Sequence, residues 1–192
     1  MNAVLRALAI LIDPAAEWTK IEKEPGDPVY LMISYVALLA LVPAIVGFIG
    51  DCVIGIIVPG AGSVRAPLFD GFFGAIFGYL ESFVLVLFLG LIINLAAPLF
   101  GVRKDFASAF KLAVYSYTPV WLAGIFLLLP GLRFLMLTGF YGVYILIAGL
   151  PLLMKSPARK SPSFAALIFV FACALTFIAA TAQRSLFGTA GL

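Results

Sequence analysis

The chain has 192 residues, of which 64% are hydrophobic and only 11% are charged. A water-soluble domain is typically about 45–50% apolar and about 25% charged, so one soluble core of this size cannot enclose the excess. The composition therefore excludes a soluble globular protein and predicts a protein whose solvent is lipid. The sequence contains no histidine and two cysteines, which excludes histidine-based acid–base catalysis and the usual His/Cys zinc sites.

Residues 1–29 are predicted to form a cytoplasmic segment at the membrane interface. The stretch AVLRALAILI (3–12) is too short to span a bilayer or to form the core of a cleavable signal peptide. Asp13 and Pro14 form a typical helix start, because Asp caps free N–H groups and proline fits the first helical position. Trp18 and Ile21 follow on that helix and are predicted to lie at the membrane interface. The alternative is a solvated tail that packs beneath the bundle.

Five membrane-spanning helices follow, predicted near residues 30–50, 72–98, 107–129, 132–154 and 163–183. Each contains a mostly apolar run of about 20 residues, the length that crosses a bilayer. The predicted fold class is therefore all-α: a polytopic bundle of five transmembrane helices with an N-terminal interfacial helix. The membrane domain covers residues 30–184 and a short extracytoplasmic tail covers residues 185–192, and we expect no second domain.

Two connections on the same side of the bundle have distinct compositions. The connection VPGAGSVRAP (58–67) is rich in glycine and proline and is predicted to be irregular. The third and fourth spans join at Leu129-Pro130-Gly131, which predicts a tight helical hairpin. These two spans must therefore pack antiparallel, as direct neighbours.

The basic residues predict the orientation, because cytoplasmic loops carry an excess of Lys and Arg. Nine of the twelve occupy the N-terminal segment and the second and fourth connections, whereas Arg65, Arg133 and Arg184 are alone in the other three segments. The N-terminus is therefore predicted to be cytoplasmic and the C-terminus extracytoplasmic. Cys52 and Cys173 are expected to differ in depth by several helical turns, which predicts two buried thiols and no disulfide.

The second span begins with GFFGAIFGYLE, in which Gly71, Gly74, Gly78 and Glu81 recur on one helical face. Small residues at this spacing let membrane helices approach closely, so the glycines predict a packing seam. Glu81 is the only acidic residue deep in any predicted span, and an ionisable residue within a membrane is costly and is a functional candidate. It is either a proton or cation site or a neutral acid that makes a structural or gating contact.

The third span contains VYSYTPVW (114–121), a polar stretch inside a charge-free run. Pro119 cannot donate a hydrogen bond to the carbonyl of Tyr115, which predicts a kink, and Thr118 can bond back to a carbonyl one turn earlier. Glu81 and this turn lie about ten residues from opposite ends of their spans, so we expect them to meet near mid-bilayer. The candidate intramembrane polar site is Glu81, Tyr115, Ser116, Tyr117, Thr118, Pro119, Tyr141 and Tyr144. The alternative is a shape device with no ligand.

The fourth span carries a second set of small residues. Gly139, Gly142 and Gly149 lie along one side of this span and are predicted to pack against a neighbouring helix, whereas Tyr141 and Tyr144 lie along another side.

Two motifs resemble those of a known family. The third span reads A-x-Y-S-Y-T-P-x-W-L-A-G-I-F and the fourth reads Y-G-x-Y followed by G-L-P-x-L-M-K, and in this order they resemble the Yip (Ypt-interacting protein) family. The resemblance covers roughly residues 5–184, and the early Pro14 to Trp18 spacing is similar to the short bacterial branch. Tyr115, Tyr117, Pro119, Tyr141, Tyr144 and Pro151 are family-like positions.

The resemblance implies a role that does not involve catalysis. In eukaryotes it implies membrane trafficking, through binding of prenylated GTPases and shaping of membranes. Eukaryotic members usually carry a long cytoplasmic N-terminal region, whereas only residues 1–29 precede the first predicted span, which argues against GTPase binding. The short form is similar to bacterial members, which implies a multi-pass protein of the bacterial cytoplasmic (inner) membrane.

Three hypotheses about function follow from these observations. The first is a non-enzymatic scaffold that organises the membrane or binds a partner, and the second is a small transporter or channel in which Glu81 and the kinked third span line a polar site. The third is an intramembrane enzyme, but the sequence has no nucleophile–base pair, G-x-S-x-G elbow or metal set. We therefore expect no catalytic residue, cofactor or metal. The expected partners are the lipid bilayer and a second copy or other membrane proteins, and no nucleic acid.

Overall fold

Five helical spans form most of the protein. The computed structural model describes residues 2–58 and 62–187. Within these residues, five helical segments are long and apolar enough to cross a membrane: Pro28–Ile54, Leu68–Phe100, Phe106–Leu128, Pro130–Leu153 and Ser161–Leu186. The prediction of an all-α polytopic membrane protein is therefore confirmed.

Two short helices precede the first span. Helix α1 runs over Ala3–Ile12 and helix α2 over Pro14–Lys23. The carboxylate of Asp13 accepts a hydrogen bond from the backbone N–H of Ala16 at 3.0 Å, which confirms the predicted helix start. Asp27 caps the first span in the same way, because its carboxylate accepts from the two N–H groups that follow Pro28. We call α1 and α2 together the N-terminal helical pair.

The spans differ in regularity. The fifth is α-helical over Ser161–Phe187, and the second is α-helical over Leu68–Ala96 with a final 3₁₀ turn, Ala97–Phe100. The first alternates α-helical segments with π-helical segments: Pro28–Leu31, Ala37–Leu39 and Leu41–Phe48 are α, and Met32–Val36 and Ile49–Ile54 are π. The third span is α-helical over Phe106–Ser116 and Thr118–Ala123 and ends in a 3₁₀ segment, Gly124–Leu128. The fourth begins with a 3₁₀ segment, Pro130–Phe140, and continues as an α-helix over Tyr141–Leu153.

Two sequence predictions need correction: the irregular connection after the first span and the start of the C-terminal tail. The connection after the first span is not irregular throughout, because strand β1 (Ile56–Val58) pairs antiparallel with strand β2 (Gly62–Val64), with Ile56 opposite Val64. Gly62 begins β2 at a φ of +77°, a left-handed conformation that glycine adopts readily. The predicted tail also starts inside the fifth span, since its first three residues are helical, while residues 188–192 and the loop residues 59–61 lie outside the described residues.

The third span is the centre of the bundle. In its most apolar window 61% of the residues are buried, against 17–33% in the other four spans. Its first half packs against the second and fourth spans, and Gly90 approaches Phe110 so closely that an added Cβ would lie 3.2 Å from the Phe110 Cα. The third and fourth spans are neighbours joined at Leu129 and Pro130, which confirms the predicted hairpin. The polar stretch VYSYTPVW therefore lies in the span that is most surrounded by protein.

Candidate functional site

Buried charges hold the N-terminal helical pair together. Arg6 of α1 and Glu17 of α2 are 5% and 1% exposed, and Nη1 of Arg6 donates to Oε1 of Glu17 at 2.6 Å. Nη2 of Arg6 donates to Glu24, and Lys20 donates to Oε2 of Glu17 at 2.8 Å. Buried charges persist only when they are paired, so the bonds of Arg6 to Glu17 and Glu24 fix α1 against α2, and Lys20 neutralises the second oxygen of Glu17 from within α2. We call Arg6, Glu17, Lys20 and Glu24 the charge clasp.

Helix α2 lies along the fourth span. The indole N–H of Trp18 donates to the carbonyl of Ile145 at 3.0 Å, and its ring fits against Gly149, where an added Cβ would lie 2.6 Å from Trp18 Cε2. Lys155, just beyond the end of the span, donates to Glu22 near the end of α2 and holds the pKa of that carboxyl below its usual value. Positions 145 and 149 lie one helical turn apart and Lys155 lies just beyond the helix, so α2 follows the last part of the fourth span to its end.

The predicted interfacial role of two side chains is wrong. Trp18 and Ile21 are both 0% exposed and belong to the main apolar core, so they contact protein and not lipid headgroups. An amphipathic pattern shows that one helix face is buried, but it does not distinguish burial in a membrane from burial against other helices. The fourth span provides that burial, and its glycine at 149 makes the space for the indole.

A lysine from the third span closes the other side of the helical pair. Lys111 is 5% exposed, and its ammonium donates to the backbone carbonyls of Ile21, at 3.0 Å, and Glu24. These carbonyls lie at the end of α2, where the last carbonyl groups of a helix lack partners within it. The helical pair is thus tied to the third span by Lys111 and to the fourth by Trp18.

Helix α1 presents an apolar face away from the bundle. Val4, Leu5, Leu8 and Ile12 are 49–81% exposed, whereas Arg6, Ala7 and Ile10 face the protein. The end of α1 reaches the middle of the fourth span, where the hydroxyl of Tyr141 donates to the carbonyl of Leu11 at 3.1 Å. The exposed side chains are those expected of a helix in contact with lipid.

The proline kink of the third span is completed by the first span. The α-helix ends at Ser116 and resumes at Thr118, one residue before Pro119. Thr118 is 0% exposed, and its hydroxyl shares a 2.8 Å hydrogen bond with the hydroxyl of Tyr35. The predicted bond of Thr118 back to a carbonyl one turn earlier is therefore wrong, because a tyrosine of the first span is its partner.

Three aromatic rings connect the kink with the helical pair. The ring of Tyr115 lies 4.8 Å from that of Tyr35 and 6.0 Å from that of Trp18, and both contacts are edge-to-face. Such pairs contribute about 0.5–1.5 kcal/mol beyond the burial of their surface. This aromatic cluster joins the first span, the third span and α2 at one level of the bundle.

The predicted polar residues of the third span do not converge on one site. Tyr115 and Thr118 face Tyr35, as described, whereas Ser116 faces the fourth span. An added Cβ on Gly142 would lie 2.4 Å from the Ser116 carbonyl oxygen and 3.9 Å from Cδ of Pro119. The buried hydroxyl of Ser116 has no hydrogen-bond partner in the described part of the chain. A kinked helix presents successive residues to different neighbours, so the polar side chains of VYSYTPVW face different spans.

The two predicted tyrosines of the fourth span lie at the outside of the bundle. Tyr141 and Tyr144 are 38% and 55% exposed, and their rings lie 5.4 Å apart. Tyr141 is the residue that contacts the end of α1. These tyrosines therefore border the N-terminal helical pair and do not line an internal polar site.

Glu81 and Tyr117 line the same cavity. It has a volume of about 520 Å³ and lies between all five spans, in the half of the bundle nearer the β-hairpin. Trp121 and Thr176 also line it, and the ion pair of Asp51 with Arg133 is part of its wall. Glu81 is half-buried, and within residues 2–58 and 62–187 its carboxylate has no hydrogen bond or ion pair. The structure thus brings Glu81 to Tyr117, and not to Tyr115 or Thr118.

The glycines of the second span have three different surroundings. An added Cβ on Gly71 would lie 2.0 Å from Sγ of Cys52 in the first span, and the carbonyl of Gly74 accepts a 3.3 Å hydrogen bond from Gln183 of the fifth. Gly78 differs from the predicted seam, because no heavy atom lies within 4 Å of its would-be Cβ and it lines the cavity.

The glycines of the fourth span face the third span and α2. An added Cβ on Gly139 would lie 3.3 Å from Cα of Val120, and Gly142 and Gly149 contact Ser116 and Trp18 as described. The close approach of these backbones is the packing that small residues permit in membranes.

The cysteines are both unpaired, which agrees with the prediction of no disulfide. Cys52 is buried against Gly71, but Cys173 is exposed and lines an apolar groove between the fourth and fifth spans. The expected burial of Cys173 is therefore wrong, because the fifth span contributes one face to the bundle and leaves the other to lipid.

Four residues that make these contacts are not among the residues predicted from the sequence. Arg6 lies among apolar residues and on the same helical face as Ala7 and Ile10, a position at which a cation needs a buried partner. Glu17 shares the face of Trp18 and Ile21 for the same reason. Lys111 and Tyr35 carry no comparable signal, since their hydrogen-bond partners lie 83 or more residues away in the chain and depend on the tertiary fold.

One comparison with known proteins gives a match. The family model of the Yip1 domain matches residues 8–181 of the 192-residue chain. No curated protein and no solved structure matches it. The matched range begins within α1 and ends within the fifth span, so it includes all of α2, the kink and most of the cavity lining, but not Arg6 or Arg184. The chain belongs to the Yip1 domain family.

Proposed function

We propose that this protein is a non-enzymatic, membrane-organising member of its family, in which the N-terminal helical pair acts as a wedge in one leaflet. The observation that carries the proposal is the position of α2, which follows the fourth span from Lys155 to Ile145 with α1 on its lipid side. The pair adds two helices to the cross-section at one end of the bundle. A protein that is wider in one leaflet than in the other favours a curved bilayer.

The depth of the helical pair supports a wedge. Its contacts with the fourth span run from Tyr141 to the end of the helix at Leu153, about 18 Å at 1.5 Å per residue, which is more than half of a hydrocarbon core about 30 Å thick. The exposed apolar side chains of α1, from Val4 to Ile12, would face acyl chains over that depth. A helix in this position displaces lipid in a single leaflet, whereas the five spans displace lipid in both.

The attachment of the helical pair supports a rigid wedge. Arg6 and Glu17 are almost fully buried, so separating α1 from α2 would leave uncompensated charges in an apolar environment. Trp18 and Lys111 add hydrogen bonds to two different spans. A rigid attachment transmits the shape of the protein to the bilayer, which a flexible tail cannot do.

We also propose the setting in which the wedge acts. The excess of basic residues near the helical pair and the two connections beside it supports a cytoplasmic N-terminus in a bacterial inner membrane. The lipid bilayer is the principal partner, and a second copy or another membrane protein is a further partner that the exposed apolar faces of the spans permit. The proposal involves neither a GTPase nor a nucleic acid.

The orientation of the protein in vesicles of different size tests the wedge. A Lys23→Cys variant, with Cys52 and Cys173 replaced by serine, carries one thiol at the end of α2. After reconstitution into small sonicated and large extruded vesicles, a membrane-impermeant thiol reagent measures the fraction with α2 outside. We expect this fraction to be higher in small vesicles. Their strong curvature gives the outer leaflet more area than the inner one, so it accommodates the wider end of the protein.

A matched pair of variants provides the control. Replacing Leu5, Leu8 and Ile12 by serine removes the apolar face of α1 and is expected to abolish the dependence on vesicle size. Replacing Ala15, Ala16 and Thr19 by serine changes as many exposed positions on α2 and is expected to preserve it. If the protein with unaltered α1 showed the same fraction labelled at position 23 in small and in large vesicles, the helical pair would not be a wedge.

A second function, as a small transporter or channel, is favoured by one observation. Glu81 has no protein partner within the described residues and lines a cavity with Tyr117 beside the kinked third span. Unpaired ionisable groups beside interrupted helices are typical of transport sites. This function requires that reconstituted protein alone moves a defined solute or proton and that Glu81→Gln abolishes the movement. Flux that is equal in the Gln variant would exclude it.

A further inference from the structure

The cavity beside Glu81 contains polar atoms without protein partners. Trp121 is 1% exposed, and its indole Nε1 is buried with no hydrogen-bond partner in the described part of the chain. The Nε of Arg133 is in the same condition. Both residues line the cavity, as does the unpaired carboxylate of Glu81. Buried donors without acceptors are costly, at about 1–3 kcal/mol each, so a partner inside the cavity is expected.

The charges of the cavity are separated along the bundle. Glu81 lies 13 residues into the second span from Leu68, which is about 20 Å from that end at 1.5 Å per residue. Asp51, Arg133 and Arg184 lie near the span ends at the β-hairpin, and Asp51 pairs with Arg133. The acidic group of Glu81 therefore lies in the deep part of the cavity, whereas basic groups outnumber acidic ones in the part near the span ends.

Aromatic rings surround the deep part. Tyr117 and Trp121 line the cavity on the side of Glu81, and their rings lie 5.2 Å apart at 68°, whereas Phe48 lines it nearer the span ends, beside Gly71. A carboxylate beside aromatic faces is the combination that binds ammonium groups, through charge pairing and cation–π attraction. The arginines near the span ends are suited to anionic oxygens such as those of a phosphate. The volume of about 520 Å³ is in the range of small-molecule sites.

We propose that this cavity binds a zwitterion that has an ammonium group and a phosphate, with the ammonium at Glu81 and the phosphate toward Arg133 and Arg184. The free donors of Trp121 and Arg133 bind oxygen atoms of the same ligand. Arginines near span ends lie at the depth of lipid phosphates, so the ligand is either the headgroup of a zwitterionic lipid or a soluble molecule of the same chemistry. The site is independent of the wedge, since the helical pair lies at the other end of the bundle.

Calorimetric titration of the full chain tests the site. The protein is placed in nanodiscs of phosphatidylglycerol and titrated separately with phosphoethanolamine, ethanolamine and inorganic phosphate. We expect phosphoethanolamine to bind at least tenfold more tightly than either of the other two, because only it engages both ends of the cavity. Equal affinity for the three probes, or no binding of phosphoethanolamine, would overturn the proposal, and neither result would bear on membrane curvature.

Substitutions locate the binding in the cavity. Glu81→Gln is expected to weaken phosphoethanolamine binding at least tenfold, and Trp121→Phe, which keeps a ring and removes the donor, severalfold. Asp70→Asn alters an acidic residue of the same span that does not line the cavity, and the affinity is expected to stay within twofold. If Asp70→Asn weakened binding as much as Glu81→Gln does in variants with unchanged melting temperatures, the assigned site would be wrong.

Lipid composition identifies the source of the ligand. In nanodiscs that contain phosphatidylethanolamine, a weaker apparent affinity for free phosphoethanolamine would show that the lipid headgroup competes for the site. An unchanged affinity would show that the site takes the soluble zwitterion alone. Both results support the site.

Discussion

At the scale of residues, two glycines illustrate how the same residue type serves opposite purposes. Gly149 lies where α2 meets the fourth span, and an added Cβ would be 2.5 Å from Leu112 Cδ1 and 2.6 Å from Trp18 Cε2. Gly78 lies at the cavity, and its would-be Cβ has no heavy atom within 4 Å. Sequence spacing places both in small-residue seams, but only the structure distinguishes a contact from an open space.

Alanine at these two positions gives a direct test. Gly149→Ala is expected to destabilise the protein by about 1–3 kcal/mol, because rings and methyl groups in a packed core must shift. Gly78→Ala is expected to be neutral or to stabilise by up to about 1 kcal/mol, because alanine is the better helix former. Thermal unfolding in detergent, followed by circular dichroism, measures both, and equal melting temperatures for the two variants would contradict the packing of Trp18 against Gly149.

At the scale of elements, the charge clasp determines whether α1 stays on α2. Arg6→Met leaves the carboxylate of Glu17 buried without its arginine partner. Loss of one partner of a buried ion pair lowers the free energy of unfolding by about 3–5 kcal/mol. We expect faster hydrogen exchange throughout Ala3–Ile12 and Pro14–Lys23, with little change in the third span. Exchange measured by mass spectrometry in nanodiscs tests this prediction.

The exposed ion pair of the same helix provides the comparison. Lys155 and Glu22 are 69% and 34% exposed in their side chains, and exposed pairs contribute little. Lys155→Met is therefore expected to leave exchange in α1 and α2 nearly unchanged. Lys155 lowers the pKa of Glu22, so any contribution of the pair is present at neutral pH and is lost only as the pH falls through that lowered pKa. If Lys155→Met freed the helical pair as much as Arg6→Met, the clasp would not be what holds it.

At the scale of the whole molecule, the sequence predicts the spans and the hairpin of the third and fourth, but not the side-chain contacts that join the other elements. Run lengths and helix starts such as Asp13-Pro14 are local, and these predictions are confirmed. The partner of Thr118 is Tyr35, 83 residues away, and the carbonyls bound by Lys111 are as remote, so neither follows from spacing. Trp18 illustrates the same limit, since a buried indole and a headgroup-level indole have identical sequence patterns.

The wedge is the central claim at this scale, and it depends on α1 descending into one leaflet. The contacts of Trp18 with Ile145 and of Leu11 with Tyr141 place the end of α1 deeper than its beginning. A helix that lay flat on the surface would keep Leu5 and Ile12 at one depth. The two arrangements therefore differ in a quantity that can be measured position by position.

The most direct measurement is the membrane depth of spin labels along α1. Single cysteines at Leu5, Leu8 and Ile12, in a background without Cys52 and Cys173, are labelled in lipid vesicles and compared for relaxation by oxygen and by a water-soluble nickel complex. We predict that depth increases from Leu5 to Ile12, with the label at Ile12 well inside the hydrocarbon region. Equal depths at the three positions, or strong relaxation of all three by the nickel complex, would contradict the wedge.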